Sequence, residues 1–77
     1  MANHAFQIDV RQGHDIRRYW VIAPNGVMAM LSFKKMPGLA DAETLDAKGQ
    51  IPDRIALELG LDLTADGAYG RLDHPVN

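Results

Sequence analysis

Hydrophobic and polar side chains alternate along the first part of the chain. In residues 5–11 (AFQIDVR), every second side chain is apolar. A period of two predicts a strand with one buried face and one exposed face. Residues 16–23 (IRRYWVIA) are rich in β-branched and aromatic side chains and predict a second strand. The glycine and aspartate in residues 12–15 predict a loop between these strands.

Residues 24–26 (PNG) predict a turn after the second strand. Proline fixes the φ angle that the second position of a type I turn needs, and Gly26 can take a positive φ angle. A three-residue loop with glycine at the left-handed position closes many hairpins. We therefore predict that residues 27–35 (VMAMLSFKK) return as a third antiparallel strand.

Loop length decides which side chains share a sheet face. The three-residue turn pairs Ala23 with Val27, and a four-residue loop at 12–15 pairs Arg11 with Ile16. The predicted core face carries Phe6, Ile8, Val10, Tyr19, Val21, Ala29, Leu31 and Phe33. The predicted outer face carries Gln7, Asp9, Arg18, Trp20, Ile22, Met28, Met30 and Ser32. An odd loop length exchanges the two faces, and a two-residue Asn-Gly turn shifts the second hairpin by one position.

The second half of the chain predicts two short helices. Residues 41–48 (DAETLDAK) follow a helical spacing, with Asp41 as the N-cap and Gly49 as the stop. Residues 52–60 begin with a proline, which is favoured at the first helical position, and end with a glycine. Each helix has one apolar side, and we expect both to cover the same sheet face. Residues 73–77 are expected to be loose.

The predicted fold is a single α+β domain over residues 1–77. It is a three-stranded antiparallel β-meander with two short helices packed on one face. A chain of 77 residues buries only about 60% of its unfolded surface, so assembly is a common source of extra stability at this size. The chain contains no cysteine, which excludes disulfides and cysteine zinc sites. We see no signal peptide and no apolar run of membrane-helix length, so we expect a cytoplasmic protein without membrane association.

Charge divides the chain into two unequal halves. Residues 1–36 carry five Lys and Arg against two Asp, a balance of +3. Residues 37–77 carry three Lys and Arg against eight Asp and Glu, a balance of −5. A basic half of this kind can mark a nucleic-acid surface, and its candidate contacts are Arg17, Arg18, Lys34 and Lys35. Mutual attraction of the halves, or plain solvation of both, explains the same asymmetry.

Residues 54–72 favour a second form of the nucleic-acid hypothesis. Their small and apolar positions are partly similar to a helix-turn-helix, with Ala56 and Gly60 four residues apart. Two features oppose this interpretation. Asp66-Gly67 is a poor helix segment, and the stretch 53–73 has a net charge of −3, which repels phosphate.

Catalytic chemistry is sparse in this sequence. The three histidines lie far apart, the single serine lies within a predicted strand, and no phosphate-binding, dinucleotide or metalloprotease motif occurs. His14 and Asp15 are adjacent, but a loop histidine beside an aspartate is usually solvated polarity. We therefore predict no enzyme activity, no catalytic residues, no metal site and no cofactor.

The predicted outer face indicates a protein-binding surface. Two helices cover one sheet face and leave the other open, with apolar side chains that water would penalise. The candidate partner-binding residues are Trp20, Ile22, Met28, Met30 and Arg18. We predict a small non-catalytic binding module of the inhibitor or adaptor type that forms a homodimer or docks on a larger protein. The alternatives are a nucleic-acid-binding regulator and a structural subunit whose apolar face is permanently buried.

Overall fold

The computed structural model describes residues 3–34, 44–74 and 76. Its elements are β1 (His4–Gln12), β2 (Asp15–Ala23), α1 (Gly26–Lys34), β3 (Thr44–Ile51), α2 (Asp53–Glu58) and β4 (Tyr69–Leu72). The strands form one antiparallel sheet in the order β3-β1-β2-β4. The α+β class is confirmed, but the sheet has four strands and not three. Within the described ranges, no helix is both long and apolar enough to cross a membrane.

β1 and β2 form the first predicted hairpin. Their register is the predicted one, with Ile8 opposite Tyr19. The turn is tighter than the predicted four-residue loop, because Gln12 still pairs with Asp15 and the chain reverses through Gly13 at a φ of 62°. Glycine takes this left-handed conformation without steric cost. The alternating side chains of both strands therefore point to the two faces as predicted.

The third strand predicted at 27–35 is wrong, because the described part of this segment is the helix α1. Asn25 begins the helix as its N-cap. Its side-chain oxygen accepts the N–H of Met28 (2.9 Å), and its carbonyl accepts the N–H of Ala29 (3.0 Å). The side chain thereby satisfies an N–H group that has no partner inside the helix. The turn residues that resemble a hairpin closure thus start a helix.

The helix predicted at 41–48 is also wrong over its described part, which belongs to β3. Residues 41–43 lie outside the described residues. β3 pairs with β1 and accommodates one extra residue, Lys48, in a β-bulge beside Gly49. Gly49 has a φ of 101°, which glycine adopts readily. Pairing with the open edge of the hairpin therefore outweighs the local helical preference of the segment.

α2 confirms the helix predicted at 52–60, although it is shorter at both ends. The N–H of Leu61 donates to the carbonyl of Ala56 (3.0 Å), which is the wider hydrogen bond of a Schellman motif. Gly60 takes the left-handed conformation that this motif requires, at a φ of 81°. The glycine stop is thus used as predicted.

β4 was not predicted, and it excludes the helix-turn-helix proposed for residues 54–72. α2 is followed by turns and then by a strand that pairs with β2, with Trp20 opposite Gly70. A helix-turn-helix needs a second helix in this position. β4 thus occupies the sheet edge beside β2 that had been assigned to residues 27–35.

Both faces of the sheet are covered by the chain itself. α1 packs on one face and forms the first core, whose buried members are Ile8, Val10, Val21, Ala23, Ala29 and Phe33. α2 and the segment after it pack on the other face and form the second core, whose buried members are Ala5, Ile22, Ile51, Ala56 and Leu72. The prediction that both helices share one face is therefore wrong. They lie on opposite faces, and each face of the sheet carries a core among the described residues.

The C-terminal segment reaches back to the second core. Gln7 of β1 is fully buried on this face, and its side-chain oxygen accepts the backbone N–H of Val76 (2.9 Å). Val76 itself packs against the second core. Residues 75 and 77, which belong to the predicted loose tail, lie outside the described residues.

Trp20 lies directly over Gly70 on the neighbouring strand. A Cβ atom added at Gly70 would lie 2.6 to 2.8 Å from three atoms of the indole ring. We therefore expect Gly70→Ala to displace the ring and to lower the free energy of unfolding by about 1–3 kcal/mol. Denaturant unfolding followed by tryptophan fluorescence measures both effects. Gly26→Ala is the control, because its Cβ would meet Phe6 at an ordinary 3.8 Å. Equal stability and emission in the two variants would contradict the packing described.

Candidate functional site

The predicted partner-binding residues of β2 belong to the second core. Ile22 is fully buried, and Trp20 is half-buried beside it. The prediction of an exposed apolar sheet face around these two side chains is therefore wrong. The predicted fold had placed both helices on one sheet face and had left this face without a cover. The structure covers it with α2 and with the residues between α2 and the end of the chain.

Met28 and Met30, the other two apolar candidates, lie on α1. The predicted pairing of Ala23 with Val27 implied that Trp20 lies opposite Met30 and Ile22 opposite Met28. These pairs do not form, because α1 packs on the opposite face of the sheet. Met28 is 44% exposed and Met30 is half-buried at the margin of the first core. Both methionines therefore remain available for contact with a partner.

Arg17 and Arg18 do not form one basic surface. They are neighbours on β2, so their side chains point to opposite faces of the sheet. The Nε atom of Arg18 lies 3.9 Å from an Asp9 carboxylate oxygen on its own face. Lys34 ends α1, but its side chain and the whole of Lys35 lie outside the described residues. The four predicted nucleic-acid contacts are thus not brought together in the described part of the structure.

A patch of large apolar side chains is exposed on α1. We define the α1 patch as Val27, Met28, Met30 and Leu31. Val27 is 71% exposed and Leu31 is 48% exposed. A surface helix of a monomer normally presents a polar face to water, and a helix that is apolar all round is normally buried. α1 is apolar on both sides, and the side that faces away from the first core has no cover among the described residues.

The other side of α1 holds the helix in place. Ala29 and Phe33 are fully enclosed in the first core. The ring of Phe33 packs against Tyr19 of β2, with 5.2 Å between ring centroids. Tyr19 is in turn contacted by the guanidinium of Arg71, whose central carbon lies 5.6 Å from the ring centroid. The α1 patch is therefore presented by an anchored helix.

A shallow cleft separates the α1 patch from the edge strand β3. Its volume is about 610 Å³, and its lining residues are Asn25, Gly26, Val27, Met30, Leu31 and Ala47. Ala47 is exposed on β3 and lies on the same sheet face as α1, because it pairs with Ile8 of the first core. The exposed apolar surface thus continues from the helix to the edge of the sheet.

Charged side chains line a second groove on the opposite sheet face. Its volume is about 350 Å³, and its lining residues are Asp9, Arg11, Ile16, Arg18, Asp46 and Lys48. The Nζ atom of Lys48 lies 2.7 Å from an Asp46 carboxylate oxygen, and this hydrogen bond raises the pKa of Lys48 above its ordinary value. Asp9 and Asp46 are cross-strand neighbours, and the surrounding cations compensate their mutual repulsion.

The histidines are not gathered into a reactive cluster within the described residues. His14 is exposed in the tight turn between β1 and β2. The Nδ1 atom of His4 lies 2.9 Å from an Asp53 carboxylate oxygen and 3.1 Å from the Gln50 amide nitrogen. In the part of the chain that the structure describes, no three His, Asp or Glu side chains are arranged to hold a metal ion.

Comparison with known proteins found no relative of this chain. No protein-family model, no curated protein and no solved structure matches it. Its surface must therefore be interpreted from its own geometry and chemistry.

Sequence reasoning misplaced the most exposed members of the α1 patch. Leu31 was assigned to the core face of a strand, and Val27 was assigned to a hairpin register. The signal that could have found them is composition, because methionine, alanine and leucine are strong helix formers. Four of the first six residues of the predicted strand are of these types.

Proposed function

We propose that this protein is a small non-catalytic protein-binding module that acts through the α1 patch. The supporting observation is that Val27, Met28 and Leu31 are exposed on one helix while the sheet beneath is covered on both faces. The predicted sheet-face interface is thereby replaced by a helix-face interface that keeps Met28 and Met30. The absence of cysteine from the chain fits action in the reducing cytoplasm.

The composition of the patch supports recognition of another protein. Methionine is enriched in protein interfaces, and its flexible, polarizable side chain adapts to the shape of a partner. No charged side chain interrupts α1 between Gly26 and Phe33. Charged residues are depleted at the centre of interfaces, because each must lose its hydration when the partner binds.

Self-association is the form of binding that we propose. Covering three half-exposed apolar side chains contributes roughly 2–5 kcal/mol gross, since complete burial of one contributes about 1.5–3 kcal/mol. Association costs an estimated 4–15 kcal/mol in lost freedom of motion. The α1 patch is therefore the centre of an interface that needs further contacts around it. A second copy is available whenever the protein is present, so it requires no additional gene product.

Leu31→Lys should convert the dimer to a monomer at micromolar concentration. The substitution places an ammonium group at the centre of the α1 patch, where it would have to be desolvated on association. Leu31 is half-exposed, so the lysine can reach water in the monomer and the fold should persist. Sedimentation velocity over a hundredfold concentration range measures the assembly, and circular dichroism checks the fold.

Leu57→Lys is the matched control. Leu57 is a helical leucine on α2 with 63% exposure, and its substitution changes the net charge by the same amount. We expect this variant to dimerise like the wild type. A wild-type protein that remains monomeric at all concentrations would refute self-association. Equal loss of assembly in both variants would place the interface elsewhere.

A further inference from the structure

The α1 patch is too small to form a stable interface alone. Specific interfaces bury roughly 800 Å² on each partner, whereas one large aromatic side chain buries only about 150–250 Å². Four aliphatic and methionine side chains fall well short of that area. The interface must therefore extend across the cleft to the nearest neighbour of the patch, which is the edge strand β3.

β3 has the features of a strand that can pair again. It lies at one end of the sheet order and hydrogen-bonds β1 on one side. Among the described residues, no strand pairs with its other side. An edge strand presents backbone N–H and C=O groups to a further strand, and sheet extension is a common way of joining two chains.

Side chains on β3 carry opposite charges on one face and apolar atoms on the other. Asp46 and Lys48 point to the face of the second core, where they line the charged groove. Leu45 and Ala47 point to the α1 face, because their β1 partners, Val10 and Ile8, belong to the first core. Residue 47 thus separates an acidic position from a basic one along the strand.

We propose that β3 pairs antiparallel with β3 of a second copy about a two-fold axis at Ala47. This proposal rests on the proposed function, since it specifies how the α1 patch finds its partner. An axis perpendicular to the sheet keeps equivalent faces on the same side, so both α1 helices lie on one face of a continuous sheet. The two α1 patches then cover the two clefts that border the shared strands.

Charge complementarity selects this register. With the axis at Ala47, Asp46 lies opposite Lys48 of the partner subunit, and the symmetric pair forms as well. Opposite charges directly across two strands stabilise the pairing, and like charges destabilise it. A shift of the axis to residue 46 or residue 48 places identical charges opposite each other. The sequence Asp-Ala-Lys is therefore self-complementary in one antiparallel register.

The same residues protect β3 against unspecific pairing. A lysine on an edge strand and a β-bulge beside it both discourage contact with an arbitrary strand. Lys48 lies at the bulge of β3. Within one chain Lys48 already contacts Asp46 (2.7 Å), and a second copy adds a carboxylate opposite it, which an arbitrary strand does not supply. The edge is thereby selective for its own sequence.

Asp46→Lys and Lys48→Asp test the pairing without a change in the core. Both side chains are exposed, so neither substitution disturbs either core. Each variant alone opposes like charges at both symmetric positions, and we expect its homodimer to be weakened at least about tenfold. An equimolar mixture of the two variants restores both opposite-charge pairs between the two strands. We therefore expect the mixture to form a heterodimer at concentrations where each variant is monomeric.

A second pair of variants controls for net charge. Asp66→Lys and Arg54→Asp change the net charge by the same amounts at exposed positions away from β3. We expect both to remain homodimers, whether separate or mixed. Sedimentation velocity of each protein and each mixture gives the assembly, and circular dichroism confirms the fold.

The possible failures are distinguishable. If Leu31→Lys dissociates the dimer while Asp46→Lys and Lys48→Asp remain dimers, the α1 interface stands and the β3 pairing is overturned. If both single variants dissociate but the mixture stays monomeric, the register at Ala47 is wrong. A wild-type monomer at every concentration overturns both the proposed function and this inference.

Discussion

Ile22→Ala should lower the free energy of unfolding by about 2–5 kcal/mol. Ile22 is fully buried in the second core, among Ala5, Ile51 and Ala56. Its truncation removes three methylene-sized groups and leaves a cavity that the surrounding sheet and helix can close only in part. The loss should be the same at all protein concentrations, because the residue packs within one chain.

Ile16→Ala is the control for this measurement. Ile16 lies on the same strand and the same sheet face, but it is 44% exposed at the end that α2 does not cover. We expect its substitution to cost less than about 1 kcal/mol. Denaturant unfolding at two protein concentrations compares the variants. If Ile22→Ala instead removed a concentration dependence of the wild-type midpoint, Ile22 would be an interface residue and the second core would be wrong.

The hairpin of β1 and β2 could be predicted because its signals are local. Strict alternation over residues 6–11 fixes the strand type, and the short connection through Gly13 fixes the register. Both signals are contained in about twenty consecutive residues. The same register assigned Ile8 and Val21 to the core correctly, since the first core contains both.

α1 could not be predicted from periodicity because it has none. A helix that packs its inner side against a core and exposes apolar side chains on its outer side lacks a polar stripe, and a short apolar run fits a strand equally well. Asn25 was interpreted as a turn residue, although asparagine is equally favoured as an N-cap. In the structure Phe33 reaches Tyr19 from a helix that lies above the sheet.

β3 and β4 were missed because tertiary pairing and not local sequence forms them. β3 contains a bulge at Lys48, which interrupts alternation, and β4 has four residues with a glycine in its middle. Each becomes a strand by pairing with a hairpin edge that lies far away in the sequence. β4 is additionally held by Trp20, whose ring fills the space that Gly70 leaves empty.

The proposed binding surface moved because of the same errors. The predicted three-stranded sheet, with both helices on one side, would expose Trp20 and Ile22. With one helix on each side, Ile22 is buried, Trp20 is half-buried, and Val27 and Leu31 lie at the surface instead. The expectation of a protein-binding module is retained as a proposal, whereas the residues that carry it move from the sheet to α1 and the edge of β3.

Gln7 is the polar group on which the second core depends. It is fully buried on β1, and its amide nitrogen donates to an Asp9 carboxylate oxygen (3.1 Å) while its amide oxygen accepts the N–H of Val76 (2.9 Å). Hydrogen bonds of this kind satisfy buried groups whose desolvation otherwise costs about 1–3 kcal/mol each. Gln7 therefore connects the first strand to the end of the chain across the interior.

Gln7→Glu should lower the free energy of unfolding by about 3–5 kcal/mol at pH 7, the range found for an uncompensated buried charge. The variant keeps the shape of the side chain and its acceptor for Val76, but it places a second carboxylate against Asp9. Burial and this repulsion raise the pKa of the introduced carboxyl in the folded state above its unfolded value. Between these two pKa values, the folded variant binds more protons than the unfolded one. The destabilisation is therefore complete above the folded-state pKa, decreases as the pH falls from that pKa to the unfolded-state pKa, and is absent below it.

Two further variants separate charge from shape in this measurement. Gln7→Leu removes both hydrogen bonds without adding a charge, and we expect a pH-independent loss of about 1–3 kcal/mol relative to the wild type. Leu57→Glu places a carboxylate at an exposed position on α2 and should alter stability by less than about 1 kcal/mol. Unfolding by urea at pH 4 and pH 7 compares the four proteins.

Because a protonated carboxyl can donate to Asp9 as the amide does, Gln7→Glu should be less stable than Gln7→Leu at pH 7 and at least as stable at pH 4. If Gln7→Glu had the stability of the wild type at pH 7, the side chain would have access to water and the C-terminal segment would not close the second core.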